Sequence, residues 1–148
     1  MKKKINPLWG GRFQNKASEL LKKINNSISF DYRLAFEDIK VSEAYCEALF
    51  KANIISMKDK KEIESGLKEL KNELINGKLR FYDDYEDIHM NIETALKKKI
   101  GNIAGKIHTG RSRNDQVTTD LKLWIKEKTD LINKLLINLQ KVFISKAE

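Results

Sequence analysis

The chain has 148 residues, 41% of them hydrophobic and 34% charged, with a formal net charge of +8. That length suits one domain with a usable core, and a single proline with only seven glycines disfavours a turn-rich β architecture. The lone cysteine, Cys46, excludes an intrachain disulfide and fits a reducing compartment, while no apolar run approaches membrane-spanning length.

In chain order, "NPLWGGRF" reads as irregular, broken by Pro7 and the Gly10–Gly11 pair and anchored by Trp9 and Phe13. Its basic start has no apolar stretch behind it, so it is not a signal peptide, and the cytoplasm is the expected location. A short helix is predicted over 17–25, then "NNSISFDYR" interrupts, with Ser27 and Ser29 suited to a cap or turn. From Asp31 to about Asn53, Leu34, Val41, Tyr45, Ala48, Leu49 and Ala52 keep helical spacing, and Cys46 packs among them as a small residue. Ser56 and Asp59 form a capping box. Ile63, Leu67, Leu70 and Leu74 then stripe a helix that Gly77 stops. Asp83 or Asp84 can cap a helix running to Ile100, with Ile88, Ile92, Ala95 and Ile100 inward and Gly101 ending it. "NIAGKIHTG" reads as a glycine-punctuated loop. The last helix starts near Arg113, and Val117, Leu121, Trp124, Leu131, Leu135, Leu139 and Val142 form a near-heptad stripe. At 1.5 Å per residue it would span roughly 54 Å, too long to bury that stripe against itself. The stripe calls for a long bundle or an oligomer, and stopping in mid-pattern predicts a truncated chain that self-associates. The fold class expected is all-α.

Lysine and arginine number 29 against 21 acids. The lysines are dispersed and interleaved with glutamate and aspartate, which describes a solvated surface. A nucleic-acid module would cluster its cations among aromatics, and a structural oligomerisation piece would need only the terminal stripe. Neither nucleic acid nor membrane is therefore expected as a partner. Arginine is scarce (Arg12, Arg33, Arg80, Arg111 and Arg113), and two of the five fall in "HTGRSRNDQ", residues 108–116. Arginine forks bind carboxylate or phosphate in a planar, bidentate way. Gly105 and Gly110 would let the backbone approach a ligand. Thr109, Ser112 and Asn114 add hydrogen-bonding groups, and the first-turn N–H groups of the next helix favour an anion. The stretch reads as a site for a small polyanion, carboxylate or phosphate.

The order of "LWGGRF", "EDIHMNIE" and "GKIHTGRSRNDQV" before a long helix resembles the argininosuccinate lyase family, within the fumarase/aspartase superfamily of helical lyases. The resemblance runs from about Leu8 to the end of the chain. It implies an N-terminal helical domain over 1–112 that includes the substrate loop, then the start of the long central bundle helix over 113–148. The implied reaction is elimination of fumarate from argininosuccinate to leave arginine, in arginine biosynthesis, with no metal or organic cofactor. A base removes a proton beside a carboxylate, fixed donors meet the growing charge of the aci-carboxylate, and an acid assists the leaving nitrogen. By the same resemblance Ser27, Arg113 and Asn114 contact the substrate and Arg111 supports their loop. His89 and Asp87 belong to the local network, and His108 is a loop packing residue. Family members carry a later histidine in a "THLQ"-type motif and a later serine in a "GSSxMPxKxN" loop for acid–base chemistry. Neither motif occurs here, so no general acid or base is expected among these residues, and the chain alone is expected to be inactive. The family is a homotetramer whose active sites each draw on three chains.

Overall fold

The computed structural model describes residues 19–147. The expectations for "NPLWGGRF" and for the start of the first helix lie outside them. Helix α1 spans Glu19–Asn25, α2 Ile28–Asp31, α3 Ala35–Lys51, α4 Met57–Ile75, α5 Ile88–Ile100 and α6 Arg113–Ala147. Tight 3₁₀ turns cover Tyr32–Leu34 and Gly101–His108. No strand occurs among the described residues, and the chain is all-α.

Helices α3, α4 and α5 pack against one another, and the start of α6 lies against α3. The core consists of Ile39, Cys46, Leu49, Ile63, Leu67, Leu70, Ile88, Ile92 and Leu96, with Ala104 and Ile107 from the second 3₁₀ stretch. At Gly66 an added Cβ would stand 2.8 Å from Leu96 Cδ1 and Ile100 Cγ2. That glycine lets α4 and α5 meet.

The capping box at Ser56 and Asp59 forms as expected, each residue's side chain bonded to the other's backbone N–H. At the far end of α4, Gly77 takes φ 64°. Gly77 N–H bonds the Leu74 carbonyl and Lys78 N–H the Glu73 carbonyl, a Schellman closure that satisfies two orphan acceptors.

Four local expectations change. The helix predicted from Asp31 is interrupted, because a 3₁₀ turn at Tyr32–Leu34 separates α2 from α3. The buried stripe of α3 is Ala35, Ile39, Ser42, Cys46 and Leu49, while Ala48 and Ala52 face solvent. Asp87, not Asp83 or Asp84, caps α5, its carboxylate accepting the Met90 N–H at 2.6 Å. The segment 102–110 is mostly 3₁₀ helix, because Ala104 and Ile107 carry its inner side into the core.

Candidate functional site

Helix α6 begins at the loop that the sequence singled out. Gly110 has φ 70°, which the left-handed turn requires. Gly105 lies in the 3₁₀ stretch with open space beside it and makes no such turn. Tyr45 donates to the Thr109 carbonyl at 2.8 Å and fastens the loop to α3. Arg111 lies over the Tyr45 ring, 5.1 Å from its centroid, and its Nη1 donates to Ser42 Oγ at 3.4 Å. Its Nη2 is buried without a hydrogen-bond acceptor. Ser112 Oγ accepts the Asn114 N–H at 3.2 Å, and Asp115 accepts the Ser112 N–H at 3.3 Å. The terminus of α6 thus already carries its own cap and a carboxylate, so its N–H groups add little to an anion site.

Arg113 is held more openly than Arg111. Its Nη1 donates to Gln116 Oε1 at 3.0 Å. Its Nε lies 3.7 Å from Asp87 and its Nη2 3.7 Å from Glu93, which are ion pairs longer than hydrogen bonds. About a third of the side chain meets solvent. Asn114 is exposed one residue on. His108 Nε2 lies 3.4 Å from Glu93, beside Arg113. Burial pushes its pKa below the ordinary value; Glu93 opposes, while Arg113 and Arg111 add to the fall.

Ser27 approaches from the α1–α2 junction. Its hydroxyl donates to Asp31 at 2.6 Å, and its N–H bonds the Glu86 carbonyl at 2.8 Å. Asp31 in turn accepts the Ile88 N–H at 3.1 Å. Ser27 is therefore tied to the segment that carries Asp87 and His89, and Arg113 meets the same segment through Asp87. Ser27 stands at the N-cap position of α2 but does not cap with its side chain.

Behind the loop lies a buried polar centre. His89 Nδ1 is 3.2 Å from Asp38 Oδ1 and 3.3 Å from Asp120 Oδ2, and all three residues are at most 2% exposed. They come from α5, α3 and α6, so this cluster joins three helices. Gln116 Nε2 donates to Asp38 Oδ1 at 2.5 Å. Burial works against the charge on His89, yet Asp120 and Asp38 raise its pKa to about 9. Asp120 is raised to about 6 by burial, against the pull of His89. Asp38 moves the other way: burial pushes it up, but the bond and charge of His89 and the Gln116 amide bring it below the ordinary value. The cluster thus sets one imidazole between two carboxylates, with the charged form favoured for His89 and Asp38 and disfavoured for Asp120. The three donor atoms lie within 4.8 Å, a spacing a metal ion could use. The imidazolium already supplies the cation these carboxylates require.

A cavity of about 10 Å³ remains among Asp38, Ser42, His89, Glu93, His108 and Gln116. That is room for one water and no substrate. The structure therefore links Ser27, Asp87 and Arg113 through the segment 86–88, with His89 next to it and Arg111 on the same loop as Arg113. Sequence reading missed Asp38, Gln116 and Asp120. The missed signal was on α6, where Arg113, Gln116 and Asp120 recur at helical spacing as a polar stripe just ahead of the apolar one.

A family model described as lyase matches residues 11–148. The chain belongs to this lyase family. Argininosuccinate lyases from Ehrlichia canis (strain Jake) and Ehrlichia chaffeensis (strain ATCC CRL-10679 / Arkansas) are each 52% identical over 143 residues, which is 97% of this chain and 30% of the relative. The protein of the same name from Ehrlichia ruminantium (strain Welgevonden) is 50% identical over 143 residues, 97% of this chain and 31% of the relative. The chain thus spans less than a third of the length of these lyases. Its "HTGRSRNDQ" loop and "EDIHMNIE" helix start both fall inside the span that the lyase family matches.

Proposed function

We propose that the chain supplies part of the substrate site of an argininosuccinate lyase, which eliminates fumarate from argininosuccinate and releases arginine. The observation that carries this reading is Arg113, a one-third exposed side chain with one hydrogen bond and two longer ion pairs, flanked by Asn114 and set before the buried centre. Such a fork can take a carboxylate edge-on. In this reading Ser27, Arg113 and Asn114 contact the substrate carboxylates, and Arg111, stacked on Tyr45, stiffens the loop. Asp87 and His89 hold the network. As the aci-carboxylate forms, its extra charge meets donors fixed before the reaction begins.

Residues 1–112 would form an N-terminal helical domain and 113–148 the start of the central bundle helix. The exposed stripe of α6 fits association into a homotetramer, with a cytoplasmic location. No base or acid for the elimination is assigned among these residues; both would come from other segments of the lyase. The reading needs no cofactor.

The test joins residues 1–148 to the remaining segment of the Ehrlichia canis relative and follows fumarate release by ultraviolet absorbance. The fusion is expected to turn over, and the chain alone to stay at background. A folded, assembled fusion that released no fumarate would count against the reading, as would turnover by the chain alone.

A further inference from the structure

The polar centre and the loop are connected by one side chain, Gln116. It is 2% exposed, so a ligand arriving from solvent does not touch it. Its Oε1 accepts from Arg113 Nη1 at 3.0 Å and its Nε2 donates to Asp38 Oδ1 at 2.5 Å. A glutamine amide has one accepting end and one donating end. An ionised Asp38 only accepts, and a guanidinium only donates. One orientation of the amide therefore makes both bonds, and the reverse sets donor against donor and acceptor against acceptor. Asp38 cannot swing away, because His89 Nδ1 binds the same oxygen at 3.2 Å. The remaining partners of Arg113, Asp87 and Glu93 at 3.7 Å, attract it without fixing its plane.

We propose that Gln116 is a positioning residue that orients the Arg113 guanidinium for a substrate carboxylate, with Asp38 setting which way the Gln116 amide faces. This rests on the carboxylate-site reading of Arg113 given above. Three consequences follow from the chain Arg113–Gln116–Asp38–His89. Rotation of the Arg113 plane is restricted before any ligand arrives. One Nη is committed to Gln116, while Nε and Nη2 keep only the longer ion pairs to Asp87 and Glu93, which a substrate carboxylate would have to displace. Loss of the amide leaves the charge of Arg113 in place but lets its plane turn, so affinity for a carboxylate falls while general anion attraction persists.

The experiment uses the whole chain with ¹⁵N-labelled arginine, which gives side-chain signals from only five residues. Arg113→Lys assigns the Arg113 signal, and succinate is the probe, a dicarboxylate with no group to eliminate. In the parent chain, Arg113 is expected to show restricted Nη rotation and to shift on succinate addition. Gln116→Met keeps the volume and removes the amide. It is expected to average the Arg113 Nη signals and to weaken succinate binding about tenfold, with the melting temperature little changed. Asp38→Asn leaves Gln116 in place but frees its amide to reverse, and is expected to give an intermediate loss; it serves equally if Gln116→Met does not fold. Parent-like Arg113 rotation and succinate affinity in either folded variant would overturn the positioning role and leave the carboxylate site standing. Restricted rotation without succinate binding, in the parent chain and in the lyase fusion alike, would instead overturn the carboxylate-site reading, and the substrate-orienting role with it.

Discussion

The two ends of α6 reverse the usual distribution of polar and apolar groups. At its start Gln116 and Asp120 are 2% and 0% exposed, held against α3 and α5. Further along, Leu135 and Phe143 are 58% and 65% exposed. Lys40–Glu127 at 3.1 Å and Arg33 over the Trp124 ring mark roughly where contact with the helical layer ends. One helix thus buries an amide and a carboxylate where it has partners and exposes leucines where it has none. Burial here follows what each turn of the helix meets, and the polar turns are held inside by His89, which faces both carboxylates, and by Gln116, which bridges Asp38 and Arg113.

The strongest way to break this comparison is His89→Leu. Removing the imidazolium leaves Asp38 and Asp120 buried without their cation, an expected loss of about 3–5 kcal/mol in a denaturant melt. A loss below about 1 kcal/mol would mean that the polar end of α6 is held by apolar packing instead.

Next in size come Arg113 and Asn114 of the loop, tested in the lyase fusion. Arg113→Lys keeps the charge and loses the planar fork, and Asn114→Ala loses one amide. Each charged hydrogen bond contributes roughly 1.5–3 kcal/mol, so kcat/KM should fall by roughly one to two orders of magnitude. Part of that loss should appear in kcat, because the intermediate carries more charge than the substrate. Parent rates in Arg113→Lys would remove the substrate role of the fork.

A pH series sharpens the same contrast. The folded pKa of His89, about 9, lies above its ordinary 6.5, so its contribution is full below 6.5 and lost as pH rises through 9. Asp120, raised from 3.8 to about 6, also favours the fold at low pH and loses that contribution as pH rises through 6. Asp38 is lowered, so its contribution is present above 3.8 and lost as pH falls through its folded value. The melting temperature should therefore decline by several degrees between pH 6.5 and 9, with amide exchange quickening at Gln116 and Asp120. His89→Leu should abolish that slope.

The smallest effect on the folded layer belongs to the apolar end. Paired Leu135→Lys and Leu139→Lys substitutions should dissociate self-associated chains in sedimentation. They should move the stability of the α3–α5 layer by only about 0.5 kcal/mol, since neither residue is buried within it. A parent chain that stayed monomeric at high concentration would show that the stripe does not draw copies together.

The sequence alone determined the helices and most of their ends, because those are local matters. Ile63, Leu67 and Leu70 announce a helical face, Ser56 and Asp59 a cap, and Gly77 a stop, each through neighbours within four positions. It also marked the arginine loop, since cations, hydroxyls and glycine crowd into nine residues. Tertiary structure decided what no local pattern encodes. Asp38 and His89 are 51 positions apart, and Gln116 lies 78 from Asp38. Each alone reads as an ordinary polar residue on a helix, and the cap of α5 moved to Asp87 because Asp31 and Ser27, far back in the chain, grip that same segment. Capping and periodicity are set by energies within a turn or two of helix, whereas a buried charge is acceptable only when distant residues arrive to neutralise it.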